Sequence, residues 1–315
     1  MLVGGLLCGV IAVGLPYGEF VLNGTQMGLN SSTPAAFFLL FLLVALIQPI
    51  LGLLRRDWLF TRAELLSIAV MMMITTAISA RGFISIAVPI MTGVFYFASP
   101  ENNWDGLLIP HIPTWLIPYS PQGIKGFYEG LPEGNPIPWG IWVEPLLWWL
   151  LFMAAFYLVV VCTMVILRRQ WMDHERLLYP LTQVPLGMVE DGAKPSLVKP
   201  FLRNPMMWLG LAVPFVLHGI NALSHYYEFI SGINFAYYVP LVENTVRFYL
   251  RFDCMWVGLA YLVNANITFS LWLFYLLVKV EEVILTRVGI FSTENLDIFS
   301  HTFEGPTMGI LSHQT

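Results

Sequence analysis

The sequence predicts an all-α, polytopic membrane protein: a helical bundle of about six spans with a structured outer loop and a re-entrant-like inner segment. Three observations predict it. The run over residues 141–167 carries Glu144 as its only charge, and about 20 apolar residues rising about 1.5 Å each are enough to cross the hydrocarbon of a bilayer. The chain is 57% hydrophobic and only 11% charged, with a mean hydropathy of +0.70, whereas a soluble domain carries roughly 25% charged residues. Apart from Arg81, its basic residues lie outside the apolar runs, as topology by the positive-inside rule requires.

The first span is residues 2–22. Its leading apolar stretch has the length of a signal-peptide core, but no basic region precedes it and Pro16, Gly18 and Glu19 stand where a small-residue cleavage site would be, so it reads as a retained helix. The second span is 34–54. After the charged turn Arg55-Arg56-Asp57, Thr61 followed by Glu64 forms a capping box that fixes the start of the next helix. That third span, 63–97, is too long for one straight crossing and contains Arg81-Gly82 and Pro89, so a break is expected inside it. The fourth, fifth and sixth spans are 141–167, 206–223 and 254–278.

The organisation is therefore spans one to three over 1–97, an extramembrane outer loop over 98–140, spans four to six over 141–278 with an inner segment at 168–205, and a tail over 279–315. Arg55, Arg56 and Arg62 mark one side of the membrane, as do Arg168, Arg169, Arg176, Lys194, Lys199 and Arg203. The outer loop holds only Lys125, and the 224–253 connection only Arg247 and Arg251. The bias places both termini and the tail on the cytoplasmic side and residues 98–140 outside, which in a bacterial inner membrane is the periplasm.

Residues 98–140 interleave Pro100, Pro110, Pro113, Pro118, Pro121, Pro132, Pro136 and Pro138 with Trp104, Trp115, Phe127, Tyr128 and Trp139. Prolines lower the entropy lost on ordering and aromatics supply apolar area, which favours a folded cap over a partly ordered interfacial loop. The net charge of -5 is spread without a basic run, so no nucleic-acid partner is expected. Cys8, Cys162 and Cys254 lie in or beside apolar segments with no C-x-x-C pair, and read as small buried hydrophobes.

Strings in three places resemble a family of uncharacterised bacterial membrane proteins. They are Thr61-Arg62-Ala63-Glu64-Leu65-Leu66, Phe127-Tyr128-Glu129-Gly130-Leu131-Pro132, and Arg168-Arg169-Gln170-Trp171 with Glu175 through Leu186. That family has no assigned function and is distantly similar to the oligopeptide transporter (OPT) superfamily; the chain resembles its N-terminal half. The resemblance implies secondary transport of a small peptide-like or metal-chelate solute, and a second half or homo- or hetero-oligomeric partner chains besides the lipid bilayer. It also implies that the inner segment with Glu175, Arg176, Tyr179 and Gln183 sits near a substrate pathway. A non-transporting subunit that scaffolds a larger membrane complex is the alternative.

Ionisable and polar side chains at membrane depth are the candidates for chemistry, because each costs about 2.5–3.5 kcal/mol at mid-bilayer on insertion scales. Arg81, beside Gly82 at the expected helix break, suits a substrate carboxylate or an ion pair with Glu19. Glu19 reads equally as a residue at the outer helix end. Asn264 and Asn266, with Thr268 and Ser270, place polar groups in the sixth span, where at least one asparagine is expected to bond to a neighbouring helix. His218, Asn221 and His225 recur along one face of the fifth span but lack the second helix of ligands that a haem needs. Asp173-His174-Glu175-Arg176 is no zinc motif, since Leu178 stands where a second histidine would be. No G-x-S-x-G or phosphate-binding loop occurs, so neither an enzyme nor a cofactor or metal is expected.

Overall fold

The computed structural model describes residues 1–22, 27–28, 33–79, 84–132, 134–175, 179–190, 198–224, 226–227, 229–242 and 246–288. The chain forms two compact units: Met1–Leu177 with Leu181–Asn204, and Leu178–Pro180 with Pro205–Thr315.

In the first unit, helix α1 (Leu2–Val21) and helix α2 (Pro34–Leu54) are each long and apolar enough to cross a membrane. Each contains a π-helical turn, Tyr17–Val21 directly after Pro16 and Leu43–Ile47. Both pack against helix α3 (Arg62–Ile78). Ile11 and Leu15 of α1, Leu40, Leu43 and Val44 of α2, and Leu65, Ile68, Ala69 and Met72 of α3 are buried. Gly4 lets α1 approach α3 closely: a Cβ there would meet Met71 Sδ at 3.1 Å and Ile68 Cγ1 at 3.3 Å. Small residues at such crossings increase dispersion contact where lipid leaves no hydrophobic drive between helices.

The capping box forms as the sequence predicts. The Thr61 N–H donates to Glu64 Oε2 at 2.8 Å and the Glu64 N–H to Thr61 Oγ1 at 3.3 Å, so two of the helix's unbonded N-terminal donors are satisfied. The expected third span is two helices among the described residues, α3 of 17 residues and α4 (Ile84–Tyr96) of 13. Neither meets the length of a full crossing.

The 98–140 segment is ordered. It contains a short helix α5 (Trp104–Leu107), two 3₁₀ turns, Ile109–His111 and Thr114–Leu116, and helix α6 (Pro121–Glu129). Helix α7 (Gly140–His174) follows, a 35-residue membrane-length helix with Pro145 near its start and a π-helical turn at Gln170–His174. After its first turns no described residue covers most of it, and residues 161–166 are exposed and apolar apart from Thr163. Such a helix is a lipid or partner face. The short helices α8 (Pro180–Val189) and α9 (Pro200–Arg203) complete the 1–204 stretch.

The second unit contains α10 (Pro205–Ser224), also membrane-length and without a buried residue. It then departs from the all-α expectation. Strands β1 (Ala236–Val242) and β2 (Val246–Arg251) pair antiparallel from Ala236 opposite Arg251 to Val242 opposite Val246. Tyr238 and Tyr249 face each other across the ladder, ring centroids 4.8 Å apart. Aromatic and β-branched residues concentrate there, and such cross-strand pairs stabilise a ladder more than a helix accommodates them.

The expected sixth span is also two elements, α11 (Cys254–Tyr261) and α12 (Ala265–Val288). Asp253 and Asn264 start them by capping: Asp253 Oδ1 takes the Met255 N–H at 2.9 Å and Asn264 Oδ1 the Asn266 N–H at 3.0 Å. Four helices among the described residues are thus long and apolar enough to cross a membrane, α1, α2, α7 and α10, in place of six.

Candidate functional site

The residues singled out for a solute site fall in both units. Arg81 and Arg176 lie outside the described residues. The helices that flank Arg81 end at Ile78 and begin at Ile84. Before the gap, hydroxyls cluster on the last turns of α3: Thr75, Thr76 and Ser79 donate to the carbonyls of Met71, Met72 and Thr75 at 2.9, 2.8 and 2.7 Å. Each satisfies its own polar group within the helix, the usual way a hydroxyl is tolerated in a membrane.

Glu19 lies in the π-helical turn at the end of α1 and is buried. Its Oε1 accepts the Gly28 N–H at 2.5 Å, so the carboxylate holds the connection that follows α1.

In the second unit, Asn264 caps α12 and both Asn264 and Asn266 are exposed. The expectation that one of them bonds to a neighbouring helix fails for Asn264, because a cap is spent on its own helix's free N–H groups. The nearby hydroxyls are also local, Thr268 donating to the Asn264 carbonyl at 3.3 Å and Ser270 to the Asn266 carbonyl at 2.9 Å. His218 lies against Phe235, ring centroids 5.5 Å apart and planes tilted by 50°. His225 lies outside the described residues.

Of the inner segment, Glu175 is exposed and its Oε1 accepts from Gln170 Nε2 at 3.2 Å. Tyr179 is exposed, and Gln183 is half-buried on α8.

Two carboxamides carry more structure: Gln48, which the sequence reading passed over, and Asn221, which it noted only beside the histidines of the fifth span. Gln48, buried in α2, donates from Nε2 to the Phe60 carbonyl at 3.0 Å and accepts the Phe60 N–H on Oε1 at 3.3 Å. Asn221 of α10 does the same with Ile233, at 2.9 and 2.6 Å. A polar residue inside an apolar span was a visible signal in both. Attention to ionisable groups hid Gln48.

The outer cap is the best-formed feature of the first unit. Asn102 organises the exit from α4, its Oδ1 accepting the Ser99 N–H at 2.9 Å and its Nδ2 donating to the Phe97 carbonyl at 2.8 Å. Tyr128 of α6 stacks on Tyr96 at 4.1 Å between centroids and shares a 3.0 Å hydrogen bond with buried Thr92. The Trp149 indole N–H donates to the Leu116 carbonyl at 3.0 Å, and Trp115 meets Trp148. Between α4, α6 and the first turns of α7 lies an open cavity of about 410 Å³ whose walls include Val88, Phe127, Leu131, Trp142 and Leu146.

Four helices long and apolar enough to cross a membrane, beside an aromatic cap, are the features of a helical protein suited by length and composition to membrane insertion. More particularly, the chain belongs to a family of unknown function, DUF6785, whose model matches residues 1–309. No curated protein matches the chain, and no solved structure does.

Proposed function

We propose that the protein is a secondary transporter, or one half of one, for a small peptide-like or metal-chelate solute. It sits in a bacterial inner membrane with both termini cytoplasmic and residues 98–140 in the periplasm. The observation that carries this reading is that α3 ends at Ile78, with Ser79 extended, inside a membrane-length apolar run, and that Arg81 follows two residues later in the sequence. Helices that stop and restart inside a membrane leave backbone groups and termini to bind a solute, and an arginine among them suits a carboxylate. The OPT-like resemblance of the inner segment points the same way by analogy alone.

A second reading, a non-transporting subunit that scaffolds a larger membrane complex, draws on two other observations. Glu19 is engaged with the Gly28 backbone, and α7 and α10 each offer a long face that no described residue of their own unit covers.

Uptake of labelled tri-alanine and of a ferric hydroxamate into proteoliposomes separates the readings. Arg81→Lys keeps the charge but loses the planar two-point donor, so transport predicts a large loss of uptake at matched abundance. Paired removal of Arg81 and Glu19, as Arg81→Met with Glu19→Gln, restores folding and normal behaviour if the two form only a structural pair. Normal uptake in that double variant removes Arg81 from the solute site. Absence of uptake of both probes, with partner chains retained on purification, favours the scaffold. Single cysteines at Lys125 and Glu190, both exposed, are expected to label from opposite sides of the membrane.

A further inference from the structure

We propose that the cavity between α4, α6 and the start of α7 holds one acyl chain of a bilayer phospholipid. Its lining is Val88, Gly123, Gly126, Phe127, Leu131, Ile137, Pro138, Trp139, Trp142 and Leu146, without one charged side chain. A peptide or a metal chelate would leave its polar groups unpaired against such walls, at a cost that excludes it. Water finds no polar partner on these walls, and apolar cavities of about 150 Å³ are known to admit a hydrocarbon. At about 410 Å³ this one is larger. Left empty, its walls would forgo dispersion contacts on one side.

The location names the source of the hydrocarbon. Trp142 and Leu146 belong to the first turns of α7, the end of a membrane-length helix. The apolar wall continues without a polar break from Leu146 into the exposed Leu147, Leu150 and Leu151 of the same helix. Since Gly123 through Trp139 belong to the cap outside the bilayer, an acyl chain reaches the cavity by rising out of its leaflet along this apolar face of α7. Trp139, well exposed at the rim, suits the headgroup level where tryptophan concentrates.

The two glycines of α6 keep the wall thin. A Cβ on Gly126 would meet Leu131 Cδ2 at 2.7 Å, and one on Gly123 would collide with Ile141 Cδ1.

The test uses the full chain in vesicles of phosphatidylcholine and phosphatidylglycerol containing a trace of phosphatidylcholine with a diazirine in its acyl chain. After illumination, cross-linked peptides are mapped by mass spectrometry. Labelling per residue across 127–146 is expected to exceed that across the largely exposed residues 158–166 of α7 at least about fivefold. Filling the cavity by Leu146→Trp, or independently by Val88→Phe, is expected to abolish that excess while labelling at 158–166 stays constant. Equal labelling of the two stretches in the unaltered chain overturns the proposal, whatever the variants do. So does an excess that survives filling in a variant with unchanged thermal unfolding, or a cross-link joining the cavity to a second copy of the chain.

Discussion

Gln48 on α2 and Asn221 on α10 each offer a carboxamide to both backbone groups of one residue in the connection that follows, Phe60 in the first unit and Ile233 in the second. The chemistry is the same and the surroundings are opposite. Gln48 is 2% exposed, between Leu43, Val44 and the capped start of α3, whereas Asn221 lies on a helix with no buried residue. The first unit closes a core of its own. The second leaves its helices to be solvated by whatever surrounds them. A hydrogen bond sealed inside a protein is costly to break because its partners have no replacement, while one at a surface is replaceable only if that surface is wet. The difference between the clamps therefore reports what lies against α10.

The largest expected effect is in the core of the first unit. Leu40→Ala removes a fully buried side chain between α2 and α3 and is expected to cost about 2 to 3 kcal/mol, since lipid cancels part of the transfer contribution and leaves the cavity contribution. Thermal or denaturant unfolding in vesicles measures it. Gln48→Leu comes next, at about 2 kcal/mol, because the Phe60 N–H and carbonyl lose their partners together. Recovery of stability by Gln48→Glu at low pH, where a protonated carboxyl again donates and accepts, would identify the hydrogen bonds as the cause.

Asn221→Leu sharpens the comparison. Facing water, its expected cost is below about 1 kcal/mol, because solvent replaces both bonds. Facing lipid, it approaches the cost of Gln48→Leu. Since α10 is membrane-length and apolar, the expectation is a small cost in detergent micelles that admit water and a larger one in bilayers. The smallest effect is Leu209→Ala, on the exposed surface of α10, expected within about 0.5 kcal/mol. A loss as large as that of Leu40→Ala would mean that a partner packs on α10.

Several elements were legible because their signals are local. The apolar lengths of α1, α2, α7 and α10 and the capping box at Thr61 depend on nearest neighbours along the chain. The interruption of the third run was legible from Arg81-Gly82, and the ordered cap from its prolines and aromatics. Asn264 was misread for a different reason: inside an apolar run it looks like a polar residue at depth, whereas the same residue type begins helices, and two helices in sequence give the same hydropathy as one. The 236–251 hairpin carried tyrosine, valine and phenylalanine at strand-like density, but the prior for a membrane chain favours helix. The cavity behind Gly123 and Gly126 was not legible at all. It depends on which side chains meet across α6 and α7, and spacing in the sequence does not encode that.

Cys162 offers the most direct test of the membrane placement on which these expectations rest. It lies exposed on α7, so in water an aqueous thiol reagent reaches it, and in lipid none does. With Cys8 and Cys254 replaced by serine, a hydrophilic maleimide is applied to open membrane sheets, giving access to both faces, before and after dissolution in SDS. The predicted result is no labelling in the sheets and complete labelling in SDS. Rapid labelling of Cys162 in the intact sheets would contradict a lipid-facing α7 and, with it, an integral membrane protein built on these helices.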